Sequence, residues 1–173
     1  MSEQSAQPRQ RVLVVEDEAM LQDLAKAFLV EAGFDCDVFS NAADAVGALS
    51  SGRKYDAYLL DGQFPLTPKD KAATTDGSMN VLRHIYTTPE LAQMPGVILT
   101  GRVDLVQDAL KPMIEQGGMA GNFFPPPIFQ KPGYAQPIVA IAEQLRRVAT
   151  LEADTPSRPN NIPGTLGPTS TNG

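Results

Sequence analysis

Glu16, Asp17, Asp61, Thr100 and Lys131 are the residues whose types could do chemistry together: three carboxylic acids, a hydroxyl and an ammonium group. Carboxylates held close to one another repel, so such a cluster is stable at neutral pH when a hard divalent cation is shared among them. Mg²⁺ suits the set best. It takes oxygen ligands, keeps several waters, and is typically held by one or two carboxylates together with a phosphate. A phosphoryl group could then arrive with the metal. Asp61 would supply the carboxylate nucleophile for a covalent aspartyl phosphate. Mg²⁺ and the Lys131 ammonium would neutralise charge on the transferring oxygens, and Thr100 would donate one hydrogen bond.

These residues lie far apart in the chain, so secondary structure must bring them together. Val12 to Val15 is a short aliphatic run, read as a strand buried on both faces, with Glu16 and Asp17 at its C-terminal end. From Ala19 to Ala32 the apolar positions Met20, Leu21, Leu24, Phe28 and Leu29 recur at helical spacing, and Gly33 is a stop signal. Cys36 to Phe39 reads as a second strand. Asn41, with Asp44 three residues on, opens a helix through about Leu49. Tyr55 to Leu60 is a third strand that ends at Asp61. Ser78 to Tyr86 is helical, with Met79, Leu82 and Ile85 on one face, and Val97 to Thr100 is a fourth strand. A helix follows from about Val103 to Gln116, in which Pro112 is expected to cause a kink or an early end. The fifth strand lies between Asn122 and Lys131. Pro125, Pro126 and Pro127 have no N–H to give a ladder, so that strand is expected to be broken, short or at an edge. The last helix, about Gln136 to Leu151, carries Pro137 in its first turn and Ile138, Ile141, Leu145 and Val148 on one face. The alternation implies an α/β fold: a flavodoxin-like, doubly wound, five-stranded parallel sheet with helices on both faces. In such sheets ligands bind outside the carboxyl ends of the strands, where the candidate residues stand.

Composition narrows the function. A chain of 173 residues with 42% hydrophobic content has room for one domain and tails. We read 1–10 as a flexible N-terminus, 11–151 as the domain, with loop insertions near 66–75 and 117–128, and 152–173 as a disordered tail rather than a DNA-binding output domain. No apolar run approaches the roughly 20 residues of a membrane helix, and the N-terminus MSEQSAQPRQR is polar, so a cytoplasmic protein is expected. Cys36 and His84 are each alone in the sequence, which excludes an internal disulfide and a Cys/His zinc set; Cys36 reads as packing and His84 as a surface residue. A net charge of -6 disfavours nucleic acid. Protein partners and a bound cation are expected instead.

The motifs together resemble the receiver domain of response regulators, over about Val12 to Val148. VLVVEDE is similar to that family's first strand with its acidic pair, YDAYLLDGQFP to the phosphoacceptor strand with its proline four residues on, VILTG to the switch-hydroxyl strand, and QKP to the lysine-proline signature. The resemblance implies that Asp61 is the phosphoacceptor, that Asp17 binds Mg²⁺ directly and Glu16 through a water, and that the backbone carbonyl of Gln63 completes the protein ligands. It implies that Thr100 follows the phosphoryl group and Lys131 pairs with it, with Gln63 and Arg102 flanking the site and tuning its lifetime. A histidine kinase or histidine phosphotransfer protein would be the donor and another protein the target. The domain would assist only its own phosphorylation and dephosphorylation, and a phosphorylation-dependent dimer is compatible with it. Departures from the pattern are the stretch Leu66 to Thr75 before Asp76 and Gly77, the long segment containing GGMAGNFFPPP, and Ile128 where an aromatic residue is usual.

Each motif alone has a plainer reading. An acidic pair after a strand can be a solvated helix start, and Asp61 before Gly62 and Pro65 a turn former. Lys111-Pro112 repeats the Lys131-Pro132 dipeptide with no strand before it. Their order at successive strand ends is what chance turn chemistry does not require. Competing functions are a phosphate-independent receiver-like scaffold and an Mg²⁺-dependent phosphatase with an Asp nucleophile. The second lacks its usual DxD, since the sequence here is Asp61-Gly62-Gln63. A flavin-type binder would have a phosphate-cradling loop after the first strand, where this chain has acids.

Overall fold

The computed structural model describes residues 8–116 and 125–154. Ten elements alternate along them: β1 Arg11–Val15, α1 Ala19–Glu31, β2 Asp35–Phe39, α2 Ala42–Ser50, β3 Ala57–Asp61, α3 Thr75–Thr87, β4 Gly96–Thr100, α4 Val103–Glu115, β5 Ile128–Gln130 and α5 Ala135–Asp154. The strands form one five-stranded sheet in the order β2-β1-β3-β4-β5, parallel throughout. This is the doubly wound fold expected from the alternation.

Successive side chains on a strand point to opposite faces, and the sheet uses both. Leu13, Val15, Tyr58, Leu60 and Ile98 pack under α2, α3 and α4 with Ala45, Leu49, Leu82, Ile85, Val106 and Leu110. Val12, Val14, Leu59, Val97 and Leu99 pack under α1 and α5 with Ala25, Leu29, Ile138, Ile141 and Leu145. The continuous aliphatic runs in β1, β3 and β4 follow from burial on both faces, whereas β2, at an edge, is only half-buried.

Two boundary expectations are corrected, for the start of β3 and for the tail after α5. Met20 and Leu24 are exposed on α1, Met20 at 75%, while Phe28 stacks on the ring of Tyr134 at 5.9 Å and only Ala25 and Leu29 of that helix are fully buried. The helix expected from the spacing is present, and it is apolar on more than one side, so only part of its apolar surface is covered. Of the two effects expected of Pro112, an early end is absent, since α4 continues to Glu115. The missing N–H falls in the last turn, opposite the carbonyl of exposed Asp108, which water can serve. Strand β3 begins at Ala57 rather than Tyr55; Tyr55 instead sends its hydroxyl to Asp37 Oδ2 at 2.7 Å. Helix α5 runs through Asp154, so the tail boundary at 152 falls inside a helix.

The fifth strand is short and at an edge, as its prolines required. Pro127 contributes only its carbonyl, which accepts from Ile98 N–H at 2.9 Å. Gln10, placed in the N-terminal segment, is tied to the sheet through its carbonyl, which accepts from Asp35 N–H at 2.9 Å. Most of the 117–128 insertion, and the segments 1–7 and 155–173, lie outside the described residues. Among the described residues no helix is long and apolar enough to cross a membrane.

Candidate functional site

Register assembles the site. Val15 pairs with Leu60, Asp61 with Leu99, and Thr100 with Gln130. The next residue on each strand therefore stands at the same carboxyl edge: Glu16 beside Asp61, Gly62 beside Thr100, and Lys131 after Gln130. Lys131 N–H donates to the Thr100 carbonyl at 2.9 Å, which continues the β5 ladder to the site.

Lys131 Nζ lies 2.9 Å from Glu16 Oε2 and 3.0 Å from Asp61 Oδ2. Glu16 and Asp61 are buried, while Asp17 is exposed at the rim. One carboxylate oxygen from each of Glu16, Asp17 and Asp61 lies within 4.8 Å of the others. Burial pushes the Glu16 carboxyl up to about 7, with the Asp61 charge adding to the effect and Lys131 opposing it. Burial also raises Asp17, again with a contribution from Asp61. For Lys131, burial works against the ammonium, but its hydrogen bonds and ion pairs with Glu16 and Asp61 outweigh it, and its pKa is raised. One ammonium against three carboxylates leaves negative charge to be neutralised. An all-oxygen donor set with surplus negative charge fits a hard divalent cation such as Mg²⁺. Glu16, Asp17 and Asp61 are the side chains that would hold it.

The loop that follows Asp61 is held from several directions. Gln63 N–H donates to Asp61 Oδ1 at 3.3 Å, and the backbone of Phe64 exchanges two hydrogen bonds with Thr74, at 3.2 and 3.3 Å. In a trans peptide the C=O and N–H point in opposite directions, so the Gln63 carbonyl points away from Thr74. Thr100 is buried, and its hydroxyl accepts from Arg102 N–H at 3.1 Å, which leaves its own proton to donate. The Arg102 guanidinium turns outward to a surface pair with Asp104 at 2.8 Å. Ile128 packs partly buried against the α2–α3–α4 face and Phe129 against the opposite face; Phe124 lies outside the described residues.

All five residues named first from sequence converge, and two others emerge only from the packing. Gly62 has no room for a side chain: a Cβ there would sit 2.5 Å from Thr100 Oγ1 and 2.5 Å from Val106 Cγ2. Its adjacency to Asp61 was the only signal. Ser78 is fully buried, and its hydroxyl donates to the Gly62 carbonyl at 2.7 Å. In the sequence it is an unremarkable serine in the first turn of a helix. Lys111, the second Lys-Pro lysine, is on the exposed side of α4, paired with Asp108 at 2.7 Å.

No family model matches the chain. Over 56 residues it is 43% identical to the transcriptional regulatory protein PcoR of Escherichia coli, a stretch that makes up 32% of this chain and 24% of that protein. Among solved structures, it resembles a response regulator receiver domain protein from Clostridium thermocellum at 26% identity and a TM-score of 0.58, covering 82% of this chain and 98% of that one. A response regulator receiver protein from Sinorhizobium medicae matches at 24% identity and a TM-score of 0.61, over 80% and 95% of the two chains. The receiver domain of Francisella response regulator 1452 matches at 17% and 0.59, over 81% and 99%. The chain thus has the fold of response-regulator receiver domains and resembles a response regulator in sequence over about a third of its length. Its sheet order and helical layers are those of the receiver structures it resembles.

Proposed function

We propose that this chain is a receiver domain and a cytoplasmic phosphoacceptor, phosphorylated on Asp61 in an Mg²⁺-dependent reaction by a histidine kinase or a histidine phosphotransfer protein, and that it signals by binding another protein. The observation that carries this reading is the position of the Lys131 ammonium, 3.0 Å from Asp61 Oδ2 and 2.9 Å from Glu16 Oε2, at the carboxyl edge of the sheet.

In the transfer, an Asp61 carboxylate oxygen forms a bond to phosphorus as the bond to the donor nitrogen breaks, and the donor imidazole leaves with that electron pair. When bound, the cation neutralises charge on the phosphoryl oxygens, and Glu16, Asp17, Asp61 and the Gln63 carbonyl would hold it. The rest is done by the chain itself. Lys131 is already in hydrogen-bond contact with the acceptor and ion-pairs with the arriving phosphoryl group. Thr100 donates its hydroxyl proton to a phosphoryl oxygen, and Gly62 leaves the space for that approach. A displacement of Thr100 would reach α4, since Val106 abuts the same Gly62 backbone. The domain assists only its own phosphorylation and hydrolysis, without a separate substrate.

The test is intact-protein mass after incubation with acetyl phosphate and Mg²⁺. A single added phosphoryl group that disappears in Asp61→Asn and in chelator is the expected result. If folded protein that binds Mg²⁺ gains no adduct from acetyl phosphate or from a phosphorylated kinase, the phosphate-independent scaffold replaces this reading.

A further inference from the structure

We propose that Ser78 is a positioning residue of the phosphoacceptor site: its hydroxyl fixes the backbone that presents the Gln63 carbonyl to the cation. The inference rests on the cation-dependent reading above and assigns work to a residue outside the acid, threonine and lysine set.

Ser78 lies in the first turn of α3 and is 0% exposed. A buried hydroxyl must be hydrogen-bonded, and its single proton is shared between the Gly62 carbonyl at 2.7 Å and the Thr75 carbonyl at 3.0 Å. The Thr75 contact is local to the helix. The Gly62 contact reaches 16 residues back to the loop that follows Asp61.

That contact matters because of what the same peptide does on its other side. The Gly62–Gln63 unit is planar and trans, so its C=O and N–H point in opposite directions. The C=O goes to Ser78 and the N–H to Asp61 Oδ1, at 3.3 Å. The next peptide plane, Gln63–Phe64, is pinned by Phe64 N–H donating to the Thr74 carbonyl at 3.2 Å. With both flanking planes held, the φ and ψ of Gln63 have little freedom, and its carbonyl direction is set before a cation arrives. The stretch 65–74 closes this device by returning Thr74 to Phe64, and it also supplies the Pro65 and Leu66 carbonyls that accept from Ala42 and Ala43 N–H at the start of α2, each at 2.9 Å. Gly77 belongs to the same arrangement, because a Cβ there would collide with the Phe64 carbonyl. The loop insertion is therefore a backbone clamp on the metal-facing carbonyl, and Ser78 adds a fully buried side-chain hydrogen bond to that backbone. Pre-set ligands bind without the ordering penalty that a free loop carries.

The experiment is Mg²⁺ titration by calorimetry on wild type, Ser78→Ala and Ser78→Cys, alongside thermal unfolding in chelator and amide exchange at Gln63. For Ser78→Ala we expect the Mg²⁺ dissociation constant to rise about 3- to 10-fold, the effect of one lost hydrogen bond. We expect faster exchange at Gln63, and an Asp61 phosphorylation rate at saturating Mg²⁺ within about 2-fold of wild type, because the lost interaction acts on binding rather than on chemistry. Ser78→Cys keeps the size with a weaker donor and should fall between the two. A purely structural role would lower the melting temperature and leave Mg²⁺ affinity unchanged, and that result overturns the proposal. Should the alanine variant not fold, unchanged affinity in Ser78→Cys overturns it equally. Wild type that binds no Mg²⁺ overturns both the cation-dependent reading and this inference, whereas wild-type binding with unaltered variants overturns this inference alone.

Discussion

Lys131 Nζ stands between Asp61 Oδ2, at 3.0 Å, and Glu16 Oε2, at 2.9 Å, so one ammonium group bridges two buried carboxylates contributed by different strands. Both acids were removed from water on folding, and this bridge is what makes their burial tolerable without a cation.

Removing the bridge should therefore destabilise the metal-free protein. Lys131→Met is expected to lower unfolding free energy by about 1–3 kcal/mol at pH 8, less than for a fully buried pair because Glu16 can take up a proton instead. Urea unfolding in chelator at pH 8 and at pH 6 measures this, and the loss should be smaller at pH 6.

Glu16 makes the metal-free fold pH-sensitive in a direction opposite to that of ordinary salt-bridged acids. Its carboxyl is raised by burial from 4.5 in the open chain to about 7 in the folded state. Between these values the folded form binds more protons than the unfolded one, so stability falls as pH rises through that window. Denaturant midpoints in chelator should drop between pH 5 and pH 8 in wild type and respond much less in Glu16→Gln. Mg²⁺ affinity should rise over the same window, because the cation must displace that proton.

At Gly62 the constraint is steric. An added methyl would meet both Thr100 and Val106 at 2.5 Å. Gly62→Ala is expected to destabilise by about 1–3 kcal/mol, the usual range for overpacking, and to slow phosphorylation of Asp61 even where the protein stays folded, because Thr100 must shift. Unfolding and acetyl phosphate labelling, measured side by side, separate the two effects.

The outward stripe of α1 gives a contrast within one helix. Met20→Ser, at a position 75% exposed, should change stability by no more than about 0.5 kcal/mol, whereas Leu29→Ala, fully buried, should lose about 2–5 kcal/mol. Equal losses would show that Met20 packs in solution.

The sequence by itself determined the alternation of strands and helices, the parallel sheet, and the carboxyl-edge placement of Glu16, Asp17, Asp61, Thr100 and Lys131. These are readable because a strand buried on both faces must be a continuous aliphatic run, as in VLVV and VILT, and because whatever ends such a run is delivered to one edge of a parallel sheet. Stop signals and the N-cap at Asn41 are equally local; its side chain accepts from Asp44 N–H as the spacing implied. Tertiary structure decided the rest. Which stripe of α1 is covered depends on where α5 lies, and no spacing within α1 contains that. Lys131 and Lys111 carry the same dipeptide, and only the ladder from Gln130 to Thr100 puts one of them against Asp61 and leaves the other in solvent. Gly62 and Ser78 acquire their parts from atoms 38 and 16 residues away, through a steric gap and a hydrogen bond that exist only after the strands have found their register. Local pattern fixes which residues reach the edge of the sheet; packing fixes the distances there, and it is on distance that hydrogen bonding and ion pairing depend.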